Sequence, residues 1–288
     1  MTTKQFRQRL EAVLALAIWA LFGLLPLDAA SATGGWLARV VGPRLRVSRI
    51  ARRNLIRAFP DKGAAEIEAI VRGMWDNIGR VAGEFPHLDR IAAERVELIG
   101  AEYIALLRDD GRPGIFISGH VGNWEVNGAV AVAHGLPLHL VYRAANNPWI
   151  EDLYRKGRKS GSLALIQKGP EGARRALLVL KQGGHLGMLV DQKMNDGIPI
   201  PFFGRDAMTA PAMAQFATKF KCPLVPARAE RLGGAHFRVT VYPPMDFPHT
   251  GDSHDDNRLL LIRINAQLEE WVRERPDQWL WLHRRWPE

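Results

Sequence analysis

The sequence predicts an α/β domain: a central, mostly parallel or mixed sheet flanked by helices, preceded by a hydrophobic membrane-anchor helix. Three observations lead there. Between residues 115 and 241, short apolar runs alternate with longer amphipathic segments, as strands and helices do in turn. Three of those runs end on a polar group, His120, Arg143 and Asp191. Open α/β sheets gather their sites at the carboxyl ends of strands. Near the start, Ala12–Leu27 is a run of sixteen positions without a charge.

That first run spans about 24 Å as a helix, short of the ~30 Å hydrocarbon core of a bilayer. A cleaved signal peptide fits the basic start and the Ala-x-Ala at Ala30–Ala32. A short or deeply inserted anchor also fits, as does a buried helix. Charge favours the anchor. Lys4, Arg7 and Arg9 precede the run, while Arg39, Arg44, Arg46, Arg49, Arg52, Arg53 and Arg57 follow it. Such a flank stays on the cytoplasmic side and suits anionic headgroups, or else a solvated helix face. The expected organisation is an uncleaved anchor over 1–30, a helical membrane-proximal region over 31–110, and an α/β catalytic region over 111–288.

Within the rest, helical spacing marks Ala64–Val81, Gly100–Arg108, Trp124–Ala133, Pro148–Lys159, Glu171–Lys181, Ala207–Lys221 and Asn257–Arg275. Strand-like runs are Ile115–Ser118, Leu138–Tyr142, Ala164–Gln167, Leu186–Val190, Leu224–Ala229 and Phe237–Val241. At 288 residues, 47% hydrophobic and 24% charged, the chain has material for a substantial core. Its formal net charge of +9 favours anionic partners. The single cysteine, Cys222, excludes an intramolecular disulfide and reads as a small core residue. No His-Glu-x-x-His or paired cysteines suggest a metal site, and no phosphate-binding loop or dinucleotide fingerprint suggests a cofactor. No Gly-x-Ser-x-Gly elbow is present. The arginines crowd toward the apolar run, which argues against a nucleic-acid surface.

The chemistry concentrates in Gly-His-Val-Gly-Asn-Trp-Glu at 119–125. A carboxylate that orients an imidazole makes a general base able to take a proton from a hydroxyl. Inside one regular helix His120 and Glu125 would point roughly 140° apart. The pair therefore requires His120 in a turn and Glu125 in the helix that follows. The same spacing also fits a buried histidine beside a solvated glutamate. Arg143 fits a phosphate or carboxylate clamp, or a pairing with Glu151. Arg155, Lys156, Arg158 and Lys159 form a basic cluster that fits a headgroup clamp or a solvated face. Asp191, after an apolar strand, fits a substrate contact, a base orienter or a plain turn. Pro201-Phe202-Phe203-Gly204 reads as a rigid apolar loop, bordering an acyl groove or packed in the core. Trp279, Trp281 and Trp286 flank His283, Arg284 and Arg285, which suits a headgroup interface or packing on the sheet.

In order along the chain, Ala51-Arg-Arg-Asn-Leu-Ile-Arg-Ala-Phe-Pro60, the 119–125 box, Tyr142-Arg143 with Asn146-Asn147-Pro148, Asp191-Gln192, Pro201–Gly204 with Thr209, and Trp281-Leu-His-Arg-Arg-Trp286 follow the apolar N-terminus. This ordered set resembles the bacterial lipid A biosynthesis acyltransferases, the lauroyl and myristoyl transferases, within the wider lysophospholipid acyltransferase superfamily. The resemblance implies His120 as general base and Glu125 as its orienter, acting on a hydroxyl of a phosphorylated glycolipid. It implies acyl carrier protein as thioester donor, and substrate contacts at Asn123, Arg143, Arg158, Asp191 and Gln192. No metal or other cofactor is implied. It places the protein on the cytoplasmic face of the bacterial inner membrane. An acyl-coenzyme A-dependent acyltransferase of another glycolipid, such as a phosphatidylinositol mannoside, shares the His-x4-acid box.

Overall fold

The computed structural model describes residues 3–158 and 163–287. The apolar runs become strands: β1 (Val96–Ile99), β2 (Gly114–Ser118), β3 (Leu138–Tyr142), β4 (Leu163–Gln167), β5 (His185–Leu189), β6 (Ile198–Phe202), β7 (Arg205–Thr209), β8 (Leu224–Gly233) and β9 (His236–Val241). Seven of them form one sheet in the order β1-β9-β8-β2-β5-β3-β4, and β6 and β7 form a separate hairpin. Every pairing in the large sheet is parallel except β8 with β9. Those two are consecutive and joined by a turn through Gly234, whose φ of 52° suits glycine.

β2 shows why the sheet carries helices on both faces. All five of its residues are buried. Ile115 and Ile117 enter one core and Phe116 the other, as the two-residue period of a strand requires. Helices α1 (Thr3–Leu24), α2 (Leu27–Val41), α3 (Ser48–Ala58), α4 (Ala64–Glu84), α5 (Leu88–Glu94) and α6 (Ala101–Asp109) precede the second strand or flank the first. Helices α7 (Glu125–Ala133), α8 (Pro148–Gly157), α9 (Pro170–Lys181), α10 (Ala212–Phe220) and α11 (Ser253–Glu274) are the crossovers and the C-terminal cover. The cluster containing Ile115 and Ile117 also holds α4, α9 and α11 residues, whereas Phe116 packs with Val126 and Val130 of α7.

Several expectations change here. Among the described residues no helix is long and apolar enough to cross a membrane. α1 is long, but Arg7, Arg9 and Glu11 occupy its first half. Residue 30 falls inside α2, and β1, which precedes residue 110, belongs to the sheet. α2 lies against α4 at backbone contact: a Cβ on Gly34 would sit 2.2 Å from the Gly79 carbonyl oxygen. Pro201–Gly204 is the end of β6 and its hairpin turn rather than a free loop, and Ala207–Thr209 continue as β7 before α10 begins. The two prolines in β6 conceal its strand period from the sequence, and a two-stranded hairpin tolerates them at its edge. Phe202 and Phe203 are buried against Trp279, Trp281 and Trp286. The C-terminal tryptophans are therefore core, and not a headgroup surface. Cys222 is buried, as its sequence context predicts.

Candidate active site

The register of β2 and β5 builds the site. Ser118 pairs with Leu189. Two residues further along each strand stand His120 and Asp191, brought side by side at the carboxyl edge. The His120 Nδ1 lies 2.7 Å from Asp191 Oδ1. A carboxylate only accepts, so an Nδ1 proton points at Asp191 and Nε2 is the ring nitrogen turned away from it. The His120 backbone N–H donates to Asp191 Oδ2 at 2.7 Å, and the Trp279 indole N–H donates to the same oxygen at 2.8 Å. Three donors thus hold a carboxylate with no solvent exposure. Burial alone would raise the Asp191 carboxyl; the charge and hydrogen bonds of His120 overcome it and hold the group below the usual carboxylate range. Nearby, burial pushes the His283 imidazole down to about 4, so it stays neutral at neutral pH.

Glu125 does something else. It opens α7, as the geometric argument requires, but its carboxylate turns to Arg158. The Arg158 Nε and Nη2 donate to its two oxygens at 2.8 and 2.6 Å, and the Trp124 indole N–H adds a bond at 3.1 Å. Arg158 is further held over the rings of Tyr142 and Tyr154. The carboxylate bonded to the His120 ring is that of Asp191, and not that of Glu125. The reason is the crossover: α7 leads away toward β3, while β5 inserts directly beside β2.

The turn between β2 and α7 is fixed from below. Gly122 has a φ of 56°, and a Cβ there would meet the Ala229 carbonyl oxygen at 2.0 Å. Asn77 donates to the Gly122 carbonyl at 2.8 Å. Asn123 is fully buried. Its amide donates to Glu84 at 2.8 Å and its oxygen accepts from the Glu125 N–H at 3.2 Å. Glu84, buried, also accepts from Ser31 and forms a bidentate pair with Arg231. Asn123 thus braces the turn from both ends of its amide.

His120, Trp124, Glu125 and Arg158 face a cleft of about 900 Å³. Its walls include Ile18 and Phe22 of α1, Val81 of α4 and Phe85 in the turn just after α4. Gln192 enters it with its Nε2 3.4 Å from His120 Nε2. Arg143 and Lys168 also line it. They are neighbours by register, one step beyond the Tyr142–Gln167 pair of β3 and β4. Lys168 follows a strand end just as His120 and Arg143 do, which is the one signal the sequence offers for it. Desolvation and the adjacent Arg143 lower its amine. Glu151, the alternative partner of Arg143, instead accepts from the Tyr142 hydroxyl and the Ala145 N–H. In the basic cluster, Lys159 lies outside the described residues, and Arg155 and Lys156 sit in the last turn of α8.

Three relatives with known activities place this geometry. The chain is 27% identical over 253 residues to the lipid A biosynthesis lauroyltransferase of Escherichia coli (strain K12), covering 83% of this chain and 79% of that one. It is 25% identical over 248 residues to the lipid A biosynthesis myristoyltransferase of the same organism, covering 82% and 75%. A lipid A biosynthesis acyltransferase of Haemophilus influenzae (strain ATCC 51907 / DSM 11121 / KW20 / Rd) is 25% identical over 287 residues, covering 94% and 88%. The bacterial lipid A biosynthesis acyltransferase family matches residues 3–288, and the chain belongs to that family of O-acyltransferases.

Proposed function

We propose that this protein transfers a fatty acyl chain from the thioester of acyl carrier protein to a hydroxyl of a lipid A precursor, with His120 as general base and Asp191 as its orienter. The observation that carries the reading is the His120–Asp191 pair at adjacent strand ends, with the histidine on the wall of an apolar-lined cleft. The acceptor hydroxyl gives its proton to Nε2 as its oxygen attacks the thioester carbonyl. The tetrahedral intermediate collapses, and the departing thiolate takes the proton back from the imidazolium. Asp191 fixes the tautomer and stabilises the imidazolium while it lasts. Gln192, Arg143 and Lys168 are the cleft's polar groups for substrate oxygens and phosphates. Glu125 holds Arg158 in place, and that pair shapes the wall opposite His120. The relatives' names favour lipid A over another glycolipid as the acceptor.

The site meets its lipid at a membrane surface. Leu10, Leu14, Leu21 and Leu24 of α1 are exposed, as are Trp36, Val40 and Val41 of α2. Arg44, Arg46 and Arg49 are exposed just beyond them. An apolar face edged by arginines lies in the interface of an anionic leaflet instead of spanning it. We place the protein on the cytoplasmic side of the inner membrane in this way. Basic Arg155 and Lys156 on α8 then offer a surface for the acidic carrier protein.

Mass spectrometry of lipid A tests the reading. A strain lacking the protein should lose the mass of one acyl chain, restored by the wild-type chain and not by His120→Ala. Unchanged lipid A in the deletion strain would contradict it.

A further inference from the structure

Pro276 disfavours helical backbone at Arg275, and α11 stops at Glu274. Pro276–Gln278 form one tight turn, and Trp279 leaves it in extended backbone, with φ −96° and ψ 150°. There the chain pairs antiparallel with the turn that carries His120, Trp279 standing opposite Val121. The Leu280 N–H donates to the His120 carbonyl at 3.2 Å, and the Gly122 N–H donates to the Gln278 carbonyl at 3.0 Å. Successive residues of an extended segment face opposite ways. Leu280 lines the cleft. Trp279 is buried and reaches Asp191 Oδ2 at 2.8 Å. One short segment therefore holds His120 by its carbonyl and Asp191 by its carboxylate.

The segment is anchored on both sides of Trp279. The Gln278 side chain exchanges two bonds of 2.9 Å with the Arg231 backbone. Asn54 of α3 donates to the carbonyls of Trp281 and His283 at 3.0 and 2.8 Å. Arg285, with no exposure, donates to the Met208 carbonyl, Thr209 Oγ1 and Asn265 Oδ1 at 3.0 to 3.2 Å. Within that frame the Trp279 ring meets Trp281 and Phe202 edge-on, with centroids 4.5 and 5.7 Å away. A phenyl ring shares that packing role. Only the indole N–H reaches Asp191. Its Oδ2 accepts from two fixed donors, the indole and the His120 backbone, and Oδ1 is thereby aimed at His120 Nδ1.

We propose that Trp279 is a positioning residue for the reaction: its Nε1–H fixes the Asp191 carboxylate against His120, and the segment 276–286 is the frame that holds it there. The assignment rests on the acyl-transfer reading for what His120 and Asp191 do. Trp279→Phe should lower kcat about tenfold, within the range for a hydrogen bond to a charged group, and leave KM for lipid and thioester within about twofold. β-(3-Benzothienyl)alanine at position 279 keeps the indole's shape and replaces its N–H by sulfur. It should lose as much, and it takes the place of Trp279→Phe if that variant does not fold. Trp286→Phe removes another buried indole bond from the same segment, to the Phe202 carbonyl at 3.0 Å, and should keep kcat within about twofold. In the Asp191→Ala background Trp279→Phe should change the residual kcat by less than about twofold, because its effect runs through Asp191. Full activity with the benzothienyl residue, an equal loss in Trp286→Phe, or an undiminished loss without Asp191 overturns the assignment. A readout without turnover separates this from failure of the reaction itself. By NMR of isotope-labelled histidine, the His120 Nδ1 proton should exchange with water about threefold faster in the benzothienyl variant, since a carboxylate held by fewer donors opens more often. Faster exchange in a protein whose deletion leaves lipid A unchanged would sink the proposed reaction and spare the brace. Exchange at the wild-type rate would sink the brace.

Discussion

Two ion pairs border one cleft, and they do different work. His120–Asp191 joins residues 71 positions apart; Glu125–Arg158 joins residues 33 apart. In the first pair the acid has no exposure and accepts three hydrogen bonds, from the His120 imidazole, the His120 backbone N–H and the Trp279 indole. In the second pair the partners bind each other side-on: two parallel bonds join the guanidinium fork to the carboxylate. On the proposed reaction the first arrangement moves a proton and the second holds a shape. Proximity in sequence points to Glu125 as the partner of His120, whereas the hydrogen bond runs across the parallel sheet to Asp191.

The largest expected effect separates the two acids. Asp191→Asn should lower kcat by about a thousandfold, within the range for loss of general-base catalysis, with little change in thermal stability beyond that of the lost hydrogen bonds. Glu125→Gln should cost at least tenfold less in kcat than Asp191→Asn, measured with the same lipid and donor. Near-equal losses would merge the two roles.

The second pair should reveal itself in stability. Arg158→Met leaves the half-buried Glu125 without its ion-pair partner, at a cost below the about 3–5 kcal/mol of breaking a fully buried pair. The double change Glu125→Leu with Arg158→Met removes both charges and should recover most of that loss, since an apolar replacement of a buried pair is often neutral. Urea unfolding of the three proteins checks this. A smaller effect belongs to the brace beneath the turn: Asn123→Ala strands one side of Glu84 and should cost about 1–3 kcal/mol, with a fall in kcat that reflects a loosened turn.

Acid should erode the first pair's surroundings gradually. Unfolded, Asp191 and His283 would titrate near ~3.9 and ~6.5. Folded, Asp191 lies below the ordinary carboxylate range and His283 is lowered to about 4. The unfolded chain therefore binds more protons as pH falls through 6.5 and below, and stability declines over that window. His283→Phe should flatten the upper part of the decline, between pH 6.5 and about 4, in unfolding measured at several pH values. An unchanged slope would show that other groups set it.

Much of the fold is legible in residue patterns. The runs at 115–118, 138–142 and 186–190 are strands because they are apolar, short and bounded by turn residues. His120, Arg143 and Asp191 are recoverable as site residues from their place after strands alone. The strand order is not, and the partner of His120 depends on it: only the insertion of β5 beside β2 pairs Ser118 with Leu189 and so His120 with Asp191. The β6–β7 hairpin escapes because prolines break its alternation, and the C-terminal tryptophans mislead because the same side chains suit a membrane interface and a core. Ala12–Leu27 is the instructive case. Its lack of charge is plain in the sequence, but hydropathy averages over Phe22, which the structure buries at the cleft, and Leu14 and Leu21, which it leaves exposed.

The central claim is that Asp191 acts through His120. Acyl transfer by His120→Ala, Asp191→Asn and the double variant measures this as a cycle. Residues that act as a unit are strongly non-additive. The account predicts that the double variant retains the residual rate of His120→Ala within about threefold, while Glu125→Gln lowers that residual rate further. If Asp191→Asn lowers the His120→Ala rate by its full effect again, the two residues work independently, and the account is contradicted.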